Sequence, residues 1–410
     1  MVVRNGGSDR GQSAPGLLVF ALVTASQLAA CASAGSPVPT PTPTPTAVAS
    51  LAAPTPSPGS GAEDAAGCAR RTVAAMTEDQ RIGQLFLLGL AGNRLGPEET
   101  RLIVEEHVGS VWFTERTFVG ASAIASVAAG VQALRTMSST GGVGFLVAAN
   151  QEGGVIQALH GPGFGEIPSA LQQGRVSPGT LQGLAQTWGS DLKAAGVNLD
   201  FAPVADVVPP GSDAQNQPIG SLARAFGHDA GTVGADVAAF TRGLHGAGVA
   251  VTLKHFPGLG RVTRNTDFNA AVDSTTTAPD DSFRQGVDAG ADLVMVSLAR
   301  YELIDSGRLA VFSPAVVTGM LRDRLNFRGV IVSDDLGATA AVADIAYGDR
   351  ATRFLDAGGD MIVSKSAAAT RAMIVAIRAR SAQDPTFRER LSESAARVLL
   401  VKRAAELVAC

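Results

Sequence analysis

Short apolar runs alternate with helix-like stretches along most of this chain, and this alternation restricts the folds that it can adopt. From residue 69 onward the sequence predicts eight buried strands, at 84–90, 109–113, 144–150, 198–205, 249–255, 291–298, 329–334 and 360–364. Helix-like segments lie between and after them, including 97–107, 178–195, 230–246, 313–325, 367–379 and 386–408. Strands that alternate with helices form parallel sheets. We therefore predict an α/β fold, a (β/α)8 TIM-type barrel. The competing fold, a doubly wound open sheet, is disfavoured because no Gly-x-Gly-x-x-Gly turn follows the first strand.

Composition and charge fit one large barrel with a small-molecule substrate. The chain has 410 residues, of which 46% are hydrophobic and 47 are glycine, as expected for a buried parallel sheet with many tight turns. The formal net charge is −4 and no basic stripe is present, so we expect no nucleic-acid partner. A small neutral or polar substrate fits this balance better.

The first 31 residues have the features of an export signal. Arg4 and Arg10 precede an apolar stretch, 16–25, that is too short to span a bilayer. The tetrapeptide Leu28-Ala29-Ala30-Cys31 resembles the lipobox of bacterial lipoproteins, in which the cysteine accepts the lipid. The alternative is a plain secretory signal with a chance cysteine. We predict lipidation of Cys31, which would hold the protein on the extracellular face of the bacterial cell membrane.

Residues 32–67 form a predicted linker, and residues 68–410 form the predicted globular domain. The linker alternates Pro with Thr and then runs Pro-Ser-Pro-Gly-Ser-Gly, a composition that favours an extended, solvated stalk. If Cys31 carries lipid, Cys68 and Cys410 remain at the two ends of the globular part. A closed barrel brings its first and last elements side by side. We therefore predict a disulfide between Cys68 and Cys410 in an oxidising compartment.

Polar residues accumulate where the predicted strands end. Asp334 and Asp335 follow the apolar run 330–332, and Lys254 and His255 end the fifth strand. In a barrel these ends share one face, where active sites form. Asp335 could equally cap the next helix. For Lys254 and His255 the alternative is that they form structural salt bridges, for instance from Lys254 to Asp206.

Five motifs in chain order resemble those of glycoside hydrolase family 3, in particular its single-domain bacterial branch of β-N-acetylglucosaminidases. The likeness covers about residues 75–405, and the motifs are Gln151-Glu152-Gly153-Gly154, Asp200-Phe201-Ala202-Pro203-Val204, Arg224-Ala225-Phe226-Gly227, Lys254-His255-Phe256-Pro257-Gly258 and Ser333-Asp334-Asp335-Leu336. The resemblance implies a barrel, retention of anomeric configuration, and no metal or organic cofactor.

By the same resemblance, Asp334 is the nucleophile, while Arg224, Lys254 and His255 match positions that hold sugar hydroxyls. A retaining glycosidase needs a carboxylate about 5 to 5.5 Å from a proton donor. Asp334 can supply the carboxylate, and nearby Lys and Arg side chains would keep it ionised. Asn150 stands where the family usually has Asp, and can still bind a hydroxyl through a neutral, weaker acceptor.

The loop after the fifth strand departs from the family pattern. Leu259 replaces a histidine, Asn265 stands for the aspartate of the acid/base dyad, and Asp267 stands for its histidine. Asp267 could exchange a proton if burial or the charge of Asp334 raised its pKa. The alternative is that Asp267 is a solvated loop residue. Val155 replaces a usual arginine, and 295–298 lacks a histidine common in the family.

Two functions follow. The first is a membrane-tethered, exo-acting β-N-acetylglucosaminidase that hydrolyses cell-wall fragments, and the second is a carbohydrate-binding lipoprotein with weakened catalysis on the same barrel. A zinc site is not expected, because the histidines at 107, 160, 228 and 245 form no i, i+4 pair. Trp112 and Phe113 could stack on a sugar ring, although core positions suit them better.

Overall fold

The computed structural model describes residues 60–279 and 281–409. The predicted signal, Cys31, most of the predicted linker and Cys410 lie outside the described residues, so the predictions made for them stay predictions. The first described helix, α1 (Ser60–Ala75), begins before the predicted start of the globular domain at residue 68. Among the helices of the described part, none combines the length and the apolar character needed to cross a lipid bilayer.

Eight parallel strands form the barrel, in agreement with the predicted (β/α)8 fold. The strands are β1 Phe86–Leu90, β2 Ser110–Phe113, β3 Leu146–Ala149, β4 Leu199–Asp200, β5 Ala250–Phe256, β6 Leu293–Val296, β7 Val330–Ser333 and β8 Ile362–Ser364. Around the barrel they follow the order β7-β6-β5-β4-β3-β2-β1-β8. A parallel bridge between Val332 and Met361, with a 2.9 Å hydrogen bond from Ser333 N to Met361 O, brings β8 back to β7.

Helices surround the barrel and precede or follow each strand. The α-helices are α1 Ser60–Ala75, α2 Glu78–Gly83, α3 Pro97–Glu105, α4 Ala121–Gln132, α5 Met137–Thr140, α6 Ala170–Gln173, α7 Pro178–Ala194, α8 Ala230–Gly246, α9 Asp281–Asp288, α10 Glu302–Asp305, α11 Tyr347–Asp356, α12 Ala367–Gln383 and α13 Pro385–Ala404. The helix at Ala315–Arg324 has π-type hydrogen bonding.

The barrel interior is packed with side chains that alternate along the strands. Leu199 and Phe201 point inward while Asp200 lies between them, as the two-residue period of a strand requires. Val398 and Val401 of α13 join this interior cluster from the amino-terminal end of the barrel. Side chains therefore fill the barrel and close it at the amino-terminal end, and the carboxyl ends of the strands form the open end, where active sites of such barrels lie.

The fourth strand is shorter than the sequence predicts. Regular pairing covers Leu199–Asp200 alone, although Ala202 O still accepts from Thr252 N at 3.0 Å and Val204 bridges to Lys254. Pro203 has no N–H to continue a ladder. A small antiparallel hairpin, Gln151–Gly153 with Ile156–Gln157, follows β3 and was not predicted.

Candidate active site

The carboxyl ends of the strands surround a cavity of about 520 Å³. Its wall includes residues from the loops after β2, β3, β5, β7 and β8. The structure brings together all six residues for which the sequence predicts catalysis or substrate binding, which are Asn150, Arg224, Lys254, His255, Asp267 and Asp334.

Glu152 holds the cationic part of this cavity together. Its side chain is 3% exposed and accepts two hydrogen bonds of 2.8 Å from Arg224 Nε and Nη2. Lys254 Nζ lies 2.6 Å from Glu152 Oε1. Burial alone would raise the pKa of Glu152, but the charges and hydrogen bonds of Arg224 and Lys254 outweigh it and lower the pKa to about 2. Glu152 therefore stays ionised and fixes both cations.

Lys254 joins Glu152 to Asn150. Its Nζ donates to Asn150 Oδ1 at 2.7 Å as well as lying against Glu152. An ammonium has three donors, so one remains for a ligand in the cavity. Lys254 does form a structural salt bridge, as the alternative supposes, but its partner is Glu152 and not Asp206, which binds His255.

Asp206 orients the ring of His255. The Asp206 side chain is fully buried, and its Oδ2 lies 2.8 Å from His255 Nδ1. Asp206 Oδ1 also accepts from His255 N at 3.1 Å and from Leu259 N at 2.7 Å. Because a carboxylate only accepts, Nδ1 carries the proton and His255 Nε2 faces the cavity side, 3.4 Å from Arg224 Nη2.

Asp334 stands at the end of β7 with its half-buried side chain on the cavity wall. Its backbone N donates to Val296 O at 3.1 Å, which fixes the residue against β6. Within the described residues its carboxylate accepts one hydrogen bond, from Asp335 N at 2.8 Å. The remaining lone pairs are available to a bound molecule.

Asp335 binds two loops. Its Oδ1 accepts from Gly337 N at 2.8 Å and from Lys365 N at 2.9 Å. Burial raises the pKa of Asp335, and the charge of Asp334 adds to that rise. These bonds resemble the predicted capping role, although they join the ends of β7 and β8 and start no α-helix.

Asp267 lies in the loop after β5, which hydrogen bonds to the loop after β7. Ala340 N donates to Asp267 O and Ala341 N donates to Thr266 O, both at 3.2 Å. Asp267 N donates to Asn265 Oδ1 at 2.9 Å, so the residue in the dyad-aspartate position shapes the turn. As a whole residue Asp267 is exposed, and its side chain lines the mouth of the cavity.

The surroundings of Asp267 favour its protonated form. Loss of hydration at the cavity raises the pKa of Asp267, and the negative charge of Asp334 raises it further. The positive charges of Arg224 and Lys254 oppose this shift. Asp335, also on the cavity wall, is held by backbone hydrogen bonds, which leaves Asp267 and Asp334 as the pair expected of an acid and a nucleophile.

Asn216 was missed by the sequence analysis. It is 2% exposed, and its Nδ2 donates to Leu259 O and Val262 O, both at 2.7 Å. Its Oδ1 accepts from Ile219 N at 3.1 Å and from Gly220 N at 2.7 Å. One amide thus joins the loop that leads to Asp267 with the segment that leads to Arg224.

Other sequence predictions have mixed outcomes. Trp112 lies on the cavity wall, with its ring centroid 5.8 Å from that of Phe201, whereas Phe113 is fully buried in the core. Within the described residues, no group of three or more His, Cys, Asp or Glu side chains is placed to hold a metal ion. Cys68 is buried and disulfide-bonded. Because Cys410 lies outside the described residues, the Cys68–Cys410 pairing stays a prediction.

Comparison with known proteins decides the family. The family model described as glycosyl hydrolase family 3 N terminal domain matches residues 77–401. The chain belongs to glycosyl hydrolase family 3. A β-hexosaminidase of Stenotrophomonas maltophilia is 32% identical over 293 residues, which cover 68% of this chain and 82% of that protein.

Solved structures of the family agree. The β-N-acetylhexosaminidase of Beutenbergia cavernae superimposes with a TM-score of 0.79 and 43% identity, over 80% of this chain and 99% of that one. A family 3 β-N-acetylglucosaminidase of a Paenibacillus species has a TM-score of 0.71 and 27% identity, over 82% and 64% of the two chains.

Proposed function

We propose that this family 3 glycoside hydrolase removes terminal β-N-acetylglucosaminyl residues with retention of configuration, through a covalent ester on Asp334. The observation that carries the proposal is the position of Asp334, half-buried on the cavity wall at the end of β7 with most of its lone pairs unused by the described residues. The relatives are named β-hexosaminidase, β-N-acetylhexosaminidase and β-N-acetylglucosaminidase, and these names support N-acetylglucosamine as the terminal sugar.

In this proposal the cationic cluster holds the hydroxyls of the terminal sugar. Glu152 fixes Arg224 and Lys254, and Asp206 fixes His255, so these hydrogen-bonding groups keep their positions before the substrate arrives. Such preorganisation lets binding energy position the anomeric carbon over Asp334. Asn150 accepts from Lys254 and offers its amide hydrogens to a hydroxyl.

Catalysis then proceeds in two steps. A carboxylate oxygen of Asp334 bonds to the anomeric carbon while the bond to the leaving oxygen breaks, and Asp267 gives its proton to that oxygen. Water then attacks the anomeric carbon, Asp267 takes a proton from this water, and the ester to Asp334 breaks. The raised pKa of Asp267 suits the first step, because the acid must be protonated when the substrate binds.

The amino-terminal sequence suggests where in the cell this reaction takes place. The predicted lipid on Cys31 and the Pro/Thr-rich linker 32–67 would hold the enzyme on the extracellular face of the bacterial cell membrane, within reach of the cell wall. Peptidoglycan fragments are therefore the substrates that we propose. The proposed partners are this carbohydrate and, through the lipid, the membrane.

Hydrolysis of 4-nitrophenyl β-N-acetylglucosaminide tests the proposal. Because nitrophenolate leaves with little protonation, we expect turnover by the wild type and a loss of about a thousandfold or more in Asp334→Ala. Equal inertness of both proteins on a panel of activated glycosides would refute an enzymatic function.

Asp267→Ala tests the proton donor. We expect a loss of about 100-fold or more on a disaccharide with a poor leaving group, and a much smaller loss of the glycosylation rate on the nitrophenyl substrate. Azide, which attacks without needing a base, should restore turnover of the nitrophenyl substrate and give the β-glycosyl azide. Equal rates for Asp267→Ala and the wild type on both substrates would exclude the role.

A carbohydrate-binding lipoprotein with weakened catalysis is the second candidate. It is favoured by Asn265, whose side chain accepts a backbone hydrogen bond within the turn, and by Leu259, which is buried where the family usually has a histidine. Binding of N-acetylglucosamine by wild type without turnover of any activated glycoside would support this function over hydrolysis.

A further inference from the structure

Tyr301 is a buried tyrosine that has no part in the chemistry proposed above. It lies in the loop after β6 and is 1% exposed. Its backbone pairs in parallel with that of Asp273, and its hydroxyl donates to Gly258 O at 2.8 Å. Residues 258–273, which we call the acid loop, contain Asp267. Tyr301 therefore holds the acid loop on both sides of the proposed proton donor.

A second hydroxyl group orients the phenol of Tyr301. A phenol has one hydrogen, which goes to Gly258 O, so Ser297 Oγ is the donor in its 3.0 Å hydrogen bond with Tyr301 Oη. Ser297 Oγ in turn accepts from Ala299 N at 3.4 Å. Ser297 is fully buried, and its backbone N donates to Phe256 O at 2.9 Å at the end of β5. The direction of the phenol is thus fixed before a substrate binds.

Buried side chains also hold the backbone groups that follow Gly258. Leu259 N donates to Asp206 Oδ1, and Leu259 O accepts from Asn216 Nδ2, both at 2.7 Å. Together with the bond from Tyr301 to Gly258 O, three successive polar groups of the backbone have side-chain partners. The start of the acid loop is therefore fixed by residues from the loops after β4 and β6.

The position of the Asp267 carboxyl depends on this loop. Every hydrogen bond that Asp267 makes within the described residues is made by its backbone. The charged groups that face its carboxyl are Asp334 after β7, Arg224 after β4, and Lys254 and His255 of β5. Burial and the charge of Asp334 raise the pKa of Asp267. A displaced loop would move the carboxyl into water and away from Asp334, which would lower this pKa.

We propose that Tyr301 is a positioning residue for proton transfer, because it holds both ends of the acid loop and so keeps the Asp267 carboxyl beside Asp334. Ser297 acts through Tyr301, whose hydroxyl it orients. Both side chains are buried outside the cavity wall, so they act on the reaction only through the loop. The inference rests on the proposed function, in which Asp267 is the acid.

Tyr301→Phe tests this role, because it removes the hydroxyl and keeps the ring. We expect kcat/KM to fall about 30-fold on a disaccharide with a poor leaving group, and by no more than about threefold on the nitrophenyl substrate, which needs little protonation. The acid must be protonated, so the alkaline limb of the pH profile of kcat/KM should move to lower pH when the pKa of Asp267 falls. Ser297→Ala should give the same pattern with a loss of about tenfold on the disaccharide.

Two control variants separate positioning from a general effect on stability. Tyr347→Phe changes the other tyrosine of the chain, which is 39% exposed on α11. Thr140→Val removes a buried hydroxyl that donates to Val143 O at 2.7 Å, just before β3 and so at the closed end of the barrel. Thr140→Val should lower the melting temperature as Tyr301→Phe does. Neither control should change the ratio of the two kcat/KM values or the pH profile.

Failure of this inference looks different from failure of the proposed function. If Tyr301→Phe loses activity equally on both substrates, or on neither, or keeps the alkaline limb in place, Tyr301 does not position Asp267. If Tyr301→Phe does not fold, the same two readouts on Ser297→Ala decide.

A titration covers the case in which the wild type does not hydrolyse the disaccharide. The carboxyl of Asp267 is followed by 13C NMR, with its signal assigned by its absence from Asp267→Asn. A lower pKa of Asp267 in Tyr301→Phe or Ser297→Ala than in the wild type would support the positioning role, and an unchanged pKa would overturn it. If the nitrophenyl substrate is not hydrolysed either, the proposed function fails as well.

Discussion

At the amino-terminal end of the barrel, Asp360 accepts hydrogen bonds from Arg397 at 3.0 Å and Arg390 at 3.4 Å, whereas at the opposite end the Asp334 carboxylate, within the described residues, accepts only from Asp335 N. Both carboxylates lie at a strand end of the same barrel. Asp360 is fully buried among partners, while Asp334 lines a cavity. The comparison indicates that the closed end uses charge for stability, and the open end keeps charge available for a ligand.

The closed end is bound together by α13. Besides the two arginines of that helix, Ser394 Oγ donates to Asp360 Oδ1 at 2.9 Å, and Arg322 from the π-type helix donates to Asp360 Oδ2. Ile331 N donates to the same carboxylate at 2.9 Å. One aspartate therefore joins a strand, the helix before it and the last helix of the chain.

The same substitution at the two ends gives the largest expected contrast. Asp360→Asn leaves three half-buried arginines, Arg322, Arg390 and Arg397, without their buried counter-charge, so we expect a loss of about 3 kcal/mol in the free energy of unfolding, with turnover per folded molecule unchanged. Asp334→Asn should change stability by no more than about 1 kcal/mol and reduce turnover about a thousandfold or more. Urea denaturation and the nitrophenyl assay measure both quantities. Similar effects of the two substitutions on both quantities would contradict the contrast.

Lys402 provides a second test at the closed end. It is fully buried, its Nζ donates to Gln84 Oε1 and Gly109 O at 2.6 Å, and burial lowers its pKa from 10.5 to about 7. Between these two values the unfolded chain binds more protons than the folded one, so stability should rise with pH, by up to about 1.4 kcal/mol per pH unit. Denaturation curves from pH 7 to pH 10 should show this rise in the wild type and in the control Lys193→Met, which changes an exposed lysine of α7, and Lys402→Met should lack it. A rise that persists in Lys402→Met, or that is lost from both variants, would contradict the assignment.

Asp200, beneath the open end, should make the free energy of unfolding depend on pH in the opposite direction. It is 1% exposed, and within the described residues only one of its oxygens has a partner, Gln151 N at 2.9 Å. Burial raises its pKa from 3.8 to about 7. Here the folded chain binds more protons between the two values, so this carboxyl makes stability fall as pH rises from about 4 to 7. Asp200→Asn should remove that fall. An unchanged pH profile in the variant would show that Asp200 ionises normally.

We expect the smallest effect on activity from a substitution of Asn216, a residue at the open end that lies outside the cavity wall. Asn216→Asp keeps the oxygen that binds Ile219 N and Gly220 N but loses the donors to Leu259 O and Val262 O. We expect about a threefold to tenfold loss of kcat/KM on a disaccharide with a poor leaving group and a smaller loss on the nitrophenyl substrate, because the Asp267 loop is released. Equal losses on the two substrates would indicate a general effect on folding, which the melting temperature would report.

The sequence predicts the barrel and most of the cavity because both depend on local patterns. Buried β-branched runs mark the strands, and polar residues at strand ends converge once the sheet closes, which is how Lys254 and Asp334 were found. Glu152 was visible only as part of a motif, since its role depends on two cations that lie 72 and 102 positions away in the chain. Asp360 carries no local signal, because its partners lie at least 29 positions away in the chain. Asn216 binds its own turn at Ile219 and Gly220, but its two partners in the loop that leads to Asp267 lie 43 and 46 positions away.

The proposed mechanism requires a covalent adduct on Asp334, and a slow substrate tests this requirement most directly. 5-Fluoro-β-N-acetylglucosaminyl fluoride has a good leaving group and a destabilised second step, so the ester should accumulate on the wild-type protein. Mass spectrometry of the digested protein should place one sugar on the peptide that contains Asp334, and Asp334→Ala should stay unlabelled. A label on another side chain, or hydrolysis of the nitrophenyl substrate without any adduct, would contradict this mechanism.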